Sequence, residues 1–106
     1  MGDNDQLKDV FEAIADPTRR QLIRLLAEAN AEVPLHELTK QFAMGRTAVS
    51  KHLAILKSAG LVLDRKIGRE TRYRLNVSPI QEIQDWAAFY SKSWSTNMQR
   101  LNHLLE

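Results

Sequence analysis

The feature that most constrains the fold is a change of hydrophobic period at Gly60. Before it, in "MGRTAVSKHLAILKSAGLV", Val49, Leu53 and Leu56 recur at helical spacing, and Thr47, Lys51, Ala54 and Ser58 fall on the opposite face. After it, "LVLDRKI" and "TRYRLN" are short, β-branched or aromatic runs separated by Gly68-Arg69-Glu70, the pattern of a hairpin. A helix must therefore stop at Gly60, where a left-handed residue is wanted, and two strands must follow at once. In the second strand Tyr73 and Leu75 share the inward face, and Arg72 and Arg74 share the other. Gly45 is a weaker cap than Ser, Thr or Asp at the start of this helix, at a cost of only a few tenths of a kcal/mol.

Upstream, Leu7, Val10, Phe11 and Ile14 mark a first helix. Asp16-Pro17 opens a second, with Asp16 as cap and Pro17 at the first helical position. Leu22, Ile23, Leu25 and Leu26 form its apolar face, and it fades by Asn30. Pro34 is expected to open a short third helix, "PLHELTKQF", with Leu35, Leu38 and Phe42 inward. Ala43-Met44-Gly45 then links it to the helix that ends at Gly60, a helix-turn-helix pattern. Ser78 as cap and Pro79 at the first position start a last helix towards Glu106, about 40 Å long if unbroken.

The expected fold is mostly α with a small β-hairpin. It is a winged helix-turn-helix, with five helices and a two-stranded wing between helices 4 and 5. One domain spans 1–106, with the wing near 61–75 and a C-terminal helix near 79–106 suited to dimerisation. The apolar residues of that helix, from Ile80 to Leu105, cover more than one stripe, so it needs two neighbours: its own core and, on this reading, a second subunit.

Charge points the same way. The formal net charge is +2, yet Arg46 to Arg74 holds eight basic residues against Asp64 and Glu70, which is +6, and the rest of the chain is −4. A concentrated basic segment suits a polyanionic partner. A B-DNA major groove admits one α-helix, and that helix must offer small or polar groups outward. Thr47, Ser50, Lys51 and Ala54 meet that demand. Arg46 and Lys51 can reach guanine edges or phosphates, Thr47 and Ser50 can bond either, and Ala54 suits a thymine methyl. Lys57 extends the cationic face, and the hairpin carries Arg65, Lys66, Arg69 and Arg72 towards flanking backbone or minor groove. His52 lies at the edge of the buried face, and two roles fit it: a hydrogen bond between helices, or a phosphate or base contact.

"ADPTRRQLIRLL" (15–26), "TAVSKHLAILKSAGLV" (47–62) and "GRETRYRL" (68–75) together resemble the ArsR family of winged-helix transcription repressors, over nearly the whole chain. The resemblance implies a homodimer on an inverted-repeat operator. In it, positions Arg46 to Lys51, Ala48 included, line the reading helix, and Gly68 to Arg72 form the wing tip. It also implies that the first and last helices build the interface, for which Leu7, Val10, Phe11, Ile83, Trp86, Tyr90, Trp94, Met98 and Leu101 are the candidates. For Arg19 and Arg20, which belong to the first motif, surface positions, intramolecular ion pairs and phosphate contacts all stay open.

Many members of that family sense metals, and here the pattern departs. There is no cysteine for a thiolate site on the third helix, and His36 and Glu37 stand alone there. The alternative set, Asp-x-His, ten residues, then His-x-x-Glu or His-x-x-His, is met by His103 and Glu106 only, with Tyr90 and Lys92 in place of the first pair. No metal and no cofactor is therefore expected, and an effector stays unknown. Trp86, Phe89, Tyr90 and Trp94 could instead line a ligand pocket at the dimer interface, the alternative being ordinary packing. A winged-helix protein-interaction module is the other rival reading. No catalytic motif is present, so an enzyme is not expected. The polar N-terminus "MGDNDQLKD" has no apolar run behind it, which makes cytoplasm the expected location and a membrane partner unexpected.

Overall fold

The structure, a computed structural model, describes residues 3–105. Its elements in chain order are α1 (Asp3–Ala13), α2 (Pro17–Ala29), β1 (Val33–Pro34), α3 (Leu35–Thr39), α4 (Arg46–Ser58), β2 (Val62–Ile67), β3 (Glu70–Leu75) and α5 (Ser78–Leu105). The five helices and the hairpin between α4 and α5 are those expected from sequence.

Local chemistry explains the boundaries. Asp16 is extended, and its carboxylate accepts the Arg19 N–H at 3.1 Å; Pro17 follows, and Asn30 closes α2 in the left-handed region at φ 50°. The end of α4 is a Schellman motif. Leu61 N–H donates to Leu56 C=O at 3.0 Å and Gly60 N–H to Lys57 C=O at 2.9 Å, with Gly60 at φ 79°. A Cβ at Gly60 would only touch Pro79 at 3.8 Å, so glycine is required by backbone conformation and not by space.

Three expectations are corrected. The sheet has three strands in the order β1-β3-β2, not two, because Val33 and Pro34 pair with Tyr73 and Arg72. Pro34 thus sits on an edge strand, where its missing N–H costs nothing, and caps α3 without entering it. Helix α3 ends at Thr39, so the connection to α4 runs from Lys40 to Gly45 and is longer than the three residues expected. At the start of α5, Gln81 N–H donates to Val77 C=O at 3.0 Å, which makes Val77 the cap residue and Ser78 the first helical one. Asn76 supplies the capping oxygen instead, accepting the Ser78 N–H at 3.4 Å.

The core is one cluster in which Val10, Leu22, Val49, Leu53, Leu56, Leu61 and Val62 are fully buried and Leu26, Leu35, Leu38 and Tyr73 nearly so. Val10, expected at the dimer interface, is 0% exposed within its own subunit and has no surface left for a partner. Burying a Leu or Val side chain contributes about 1.5–3 kcal/mol, so Val49, Leu53 and Leu56 hold α4 down firmly. Asn76 joins the two ends of the wing: its Nδ2 donates to Gly60 C=O at 2.7 Å and its N–H to Leu61 C=O at 2.9 Å.

The 28-residue α5 is about 42 Å long and dominates a molecule of 66 × 33 × 22 Å. Pro79 is buried against the core, and Ile80 and Ile83 pack on its edge. Phe11 of α1 meets Trp86 edge-on at 5.0 Å, and Trp86, Tyr90 and Phe89 continue as a chain of ring contacts at 4.9 and 5.2 Å. From Ala88 to Leu105 every residue is exposed.

Candidate nucleic-acid interface

With its apolar face locked down, α4 turns Arg46, Thr47, Lys51 and Ala54 to the exterior, all exposed, while Ala48 and Ser50 are half-buried beside them. Gly45 offers no side chain to the first N–H groups of α4, and the first turn holds no acid. Neither a cap side chain nor an acid in its first turn therefore offsets the positive end of the α4 helix dipole.

The wing turns tightly at Gly68-Arg69. Ile67 pairs with Glu70, and Gly68 at φ 63° occupies the first central position, where a two-residue hairpin demands a positive φ. Arg69, at the tip, and Lys66 are exposed. Arg46, Lys51, Lys66 and Arg69 have no acidic partner within ion-pair distance among the described residues. Arg46 and Arg69, together with Leu35, His36, Ile67, Glu70 and Thr71, line one cleft of about 320 Å³ between the α4 N-terminus and the wing tip.

Three of the expected Lys and Arg contacts are engaged inside the subunit. Lys57 Nζ lies 3.0 Å from Asp64 Oδ1. Arg72 Nε donates to Glu70 at 2.9 Å. Arg65 donates through Nε and Nη2 to both oxygens of Glu32 at 2.5 and 2.6 Å. That pair clamps the segment before β1 to β2, and the Arg65 hydrogen bond holds the Glu32 carboxyl below the usual carboxylate range. Burial, then Asp64, pushes the Tyr73 phenol above its ordinary value, which keeps it neutral under the wing. The Glu32–Arg65 clamp carries no sequence signal, since its members are 33 residues apart.

His52 turns inward. Its Nδ1 is 3.4 Å from Arg19 Nη1 and 3.9 Å from Asp16 Oδ2, with 23% of the side chain exposed. Of its two roles, the structure places it in the contact between helices. The Asp16 carboxyl is lowered, chiefly by the Arg19 backbone hydrogen bond, with Arg19 and His52 adding to it. Arg19, half-buried, and Arg20, at a surface position, both satisfy carbonyls at the end of α1. Arg19 donates to Ala13 and Glu12 C=O at 2.5 and 3.2 Å, and Arg20 to Ile14 C=O at 2.8 Å.

The remaining dimer candidates divide by position. Leu7, Phe11 and Ile83 are half-buried against their own subunit. Trp86, Tyr90, Trp94, Met98 and Leu101 are 45%, 54%, 66%, 36% and 48% exposed. His36, His52 and His103 lie on three different helices, and Glu106, the expected neighbour of His103, is outside the described residues.

A reading helix, a turn and a cationic two-residue wing tip define a winged helix-turn-helix protein. Residues 16–63 match the family model described as bacterial regulatory protein, arsR family. The transcriptional repressor SdpR of Bacillus subtilis is 32% identical over 80 residues, which cover 76% of this chain and 87% of SdpR. An ArsR-like transcriptional regulator from Rhodococcus sp. RHA1 aligns with a TM-score of 0.78 at 27% identity, over 96% of this chain and 92% of that one. A homodimeric winged helix-turn-helix DNA-binding domain from Mycobacterium bovis aligns with a TM-score of 0.63 at 28% identity, over 97% of this chain and 93% of that one. This chain belongs to the ArsR family of bacterial regulatory proteins.

Proposed function

We infer that the protein is a homodimeric transcription repressor that binds an inverted-repeat operator in double-stranded DNA. Helix α4 lies in the major groove and the wing tip lies on the flanking backbone. The observation that carries this reading is the outward face of α4. Arg46, Thr47, Lys51 and Ala54 are exposed beside a wing tip whose Lys66 and Arg69 are, like Arg46 and Lys51, unpaired with any described acid. Small groups allow close approach to base edges, and cations without internal partners are free to displace counterions from phosphates. Arg46 and Arg69 suit a backbone strand passing between helix and wing, since the Glu70 carboxylate in that cleft is already paired with Arg72.

The homodimer is supported by the exposed aromatic and aliphatic face of α5, which a monomer in water would leave uncovered. On this reading the protein works in the cytoplasm, where chromosomal DNA is accessible. Two reading helices related by a two-fold axis place half-site centres about 34 Å or a multiple apart. Sequencing of genomic fragments retained by the protein at physiological salt should return inverted repeats with that spacing. Recovery of unrelated fragments would overturn the assignment.

A further inference from the structure

We propose that Arg19 is a positioning residue for DNA reading: it locks the groove helix α4 to the end of α1. The reading face and the dimer-building helices then keep one relative orientation. The inference rests on the DNA-binding reading above. A guanidinium is a planar, rigid fork, so contacts made by its several nitrogens fix direction as well as distance. In Arg19, Nε and Nη2 hold two terminal carbonyls of α1, Ala13 at 2.5 Å and Glu12 at 3.2 Å, while Nη1 reaches His52 Nδ1 of α4 at 3.4 Å. Asp16 completes the joint, since its carboxylate accepts the Arg19 N–H at 3.1 Å and lies 3.9 Å from His52 Nδ1.

The position of this joint is informative. His52 directly follows Lys51, so a tilt of α4 about it moves the outward side chains through the groove. Helix α1 also touches α5 through the Phe11–Trp86 ring contact, so Arg19 connects the reading helix to both helices assigned to the interface. All three guanidinium nitrogens face partners within the subunit, which argues against a phosphate contact. Specificity in a dimer depends on two reading helices meeting their grooves together, whereas non-specific attraction to phosphates tolerates a tilt.

The test uses the full chain on a selected operator and on a scrambled duplex of equal length, each titrated at several salt concentrations, with sedimentation and thermal midpoint measured alongside. For Arg19→Gln the expected result is an operator affinity lower by about ten- to a hundredfold, with scrambled-duplex affinity, salt slope and dimer unchanged. A merely structural defect would reduce both duplexes by the same factor. His52→Ala should show the same selective loss. The double variant should lose no more than the worse single one. His52→Asn, which keeps an acceptor near the Nδ1 position, should retain most of the affinity. If Arg19→Gln fails to fold, Arg19→Lys keeps the charge without the fork and should show the selective loss.

Equal losses on both duplexes with a salt slope smaller by about one would make Arg19 a phosphate contact and overturn the proposal. Losses at Arg19 and His52 that add in the double variant would overturn it by making His52 an independent DNA contact. Unchanged operator affinity in Arg19→Gln would also overturn it. A wild type that binds no duplex in a salt-dependent way removes the DNA-binding reading itself, an outcome visible before any variant is made.

Discussion

Helices α4 and α5 are both amphipathic, and they differ in where their apolar faces end up. In α4, Val49, Leu53 and Leu56 are fully buried, and the exterior carries small and cationic residues. In α5, Phe89 and Trp94 are each 66% exposed and Leu104 is 82% exposed. One helix is completed inside its subunit, and the other is not. The difference assigns them separate tasks: α4 presents a finished surface to a polar, charged partner, while α5 presents an unfinished one that only another apolar surface can complete.

Substitutions can break that contrast, beginning with the largest expected effect. Leu53→Ala should cost about 2–5 kcal/mol in denaturant unfolding through the cavity it leaves. Leu104→Ala, an equal truncation on exposed α5, should stay within about 0.5 kcal/mol when unfolding is measured at concentrations low enough to keep the protein monomeric. Equal losses would mean that α5 is as complete as α4. Next, Trp94→Ala should weaken self-association by about 2–4 kcal/mol, read as dissociation in sedimentation at micromolar concentration, with the fold intact by circular dichroism. An unchanged association constant would remove this face of α5 from the interface.

A smaller effect separates free from engaged cations. Lys51→Ala or Arg69→Ala should lower the slope of log affinity against log salt by about one per subunit. Arg65→Ala should change it little, because the Arg65 charge is already matched by Glu32. The smallest effect is in acid. Asp16 and Glu32 are held below the ordinary carboxylate value by the Arg19 N–H and by Arg65, so each stabilises the fold when ionised. That contribution is complete above the unfolded-state value of about 4, and it disappears as pH falls through the lower folded-state values. Asp16→Asn should flatten the fall of the thermal midpoint below about pH 4 relative to wild type.

The fold was legible where physics is local. The switch of period at Gly60, the cap at Asp16 and the turn at Gly68 each depend on a few neighbouring residues, and the structure retains all three. Strand β1 was not legible, because two residues, Val33 and Pro34, have no period of their own and become a strand only when β3 lies beside them. Asn76 displaced Ser78 as the capping side chain because the same amide also holds Gly60, a partner 16 residues away. The outward residues of α4 could be read from helical projection, but the neutralisation of Arg65 could not, since Glu32 lies 33 residues away and reaches it only once the sheet has formed; the pairs of Lys57 with Asp64 and of Arg72 with Glu70 are closer in sequence. For His52, projection placed the ring at the edge of the core, and only the position of Asp16 and Arg19 at the start of α2 showed which way it turns.

One consequence follows from the way α5 projects beyond the body with its apolar face on a single continuous helix. In the homodimer proposed above, with α5 as the larger part of the interface, folded monomer and dimer exchange by mass action. Below the dissociation constant of the dimer, operator occupancy then grows with the square of the protein concentration. A twofold change in the cellular amount of this regulator becomes close to a fourfold change in occupancy while sites are sparsely filled. On that proposal the exposed length of α5 is also a gain control, set by the affinity of the protein for its own copy.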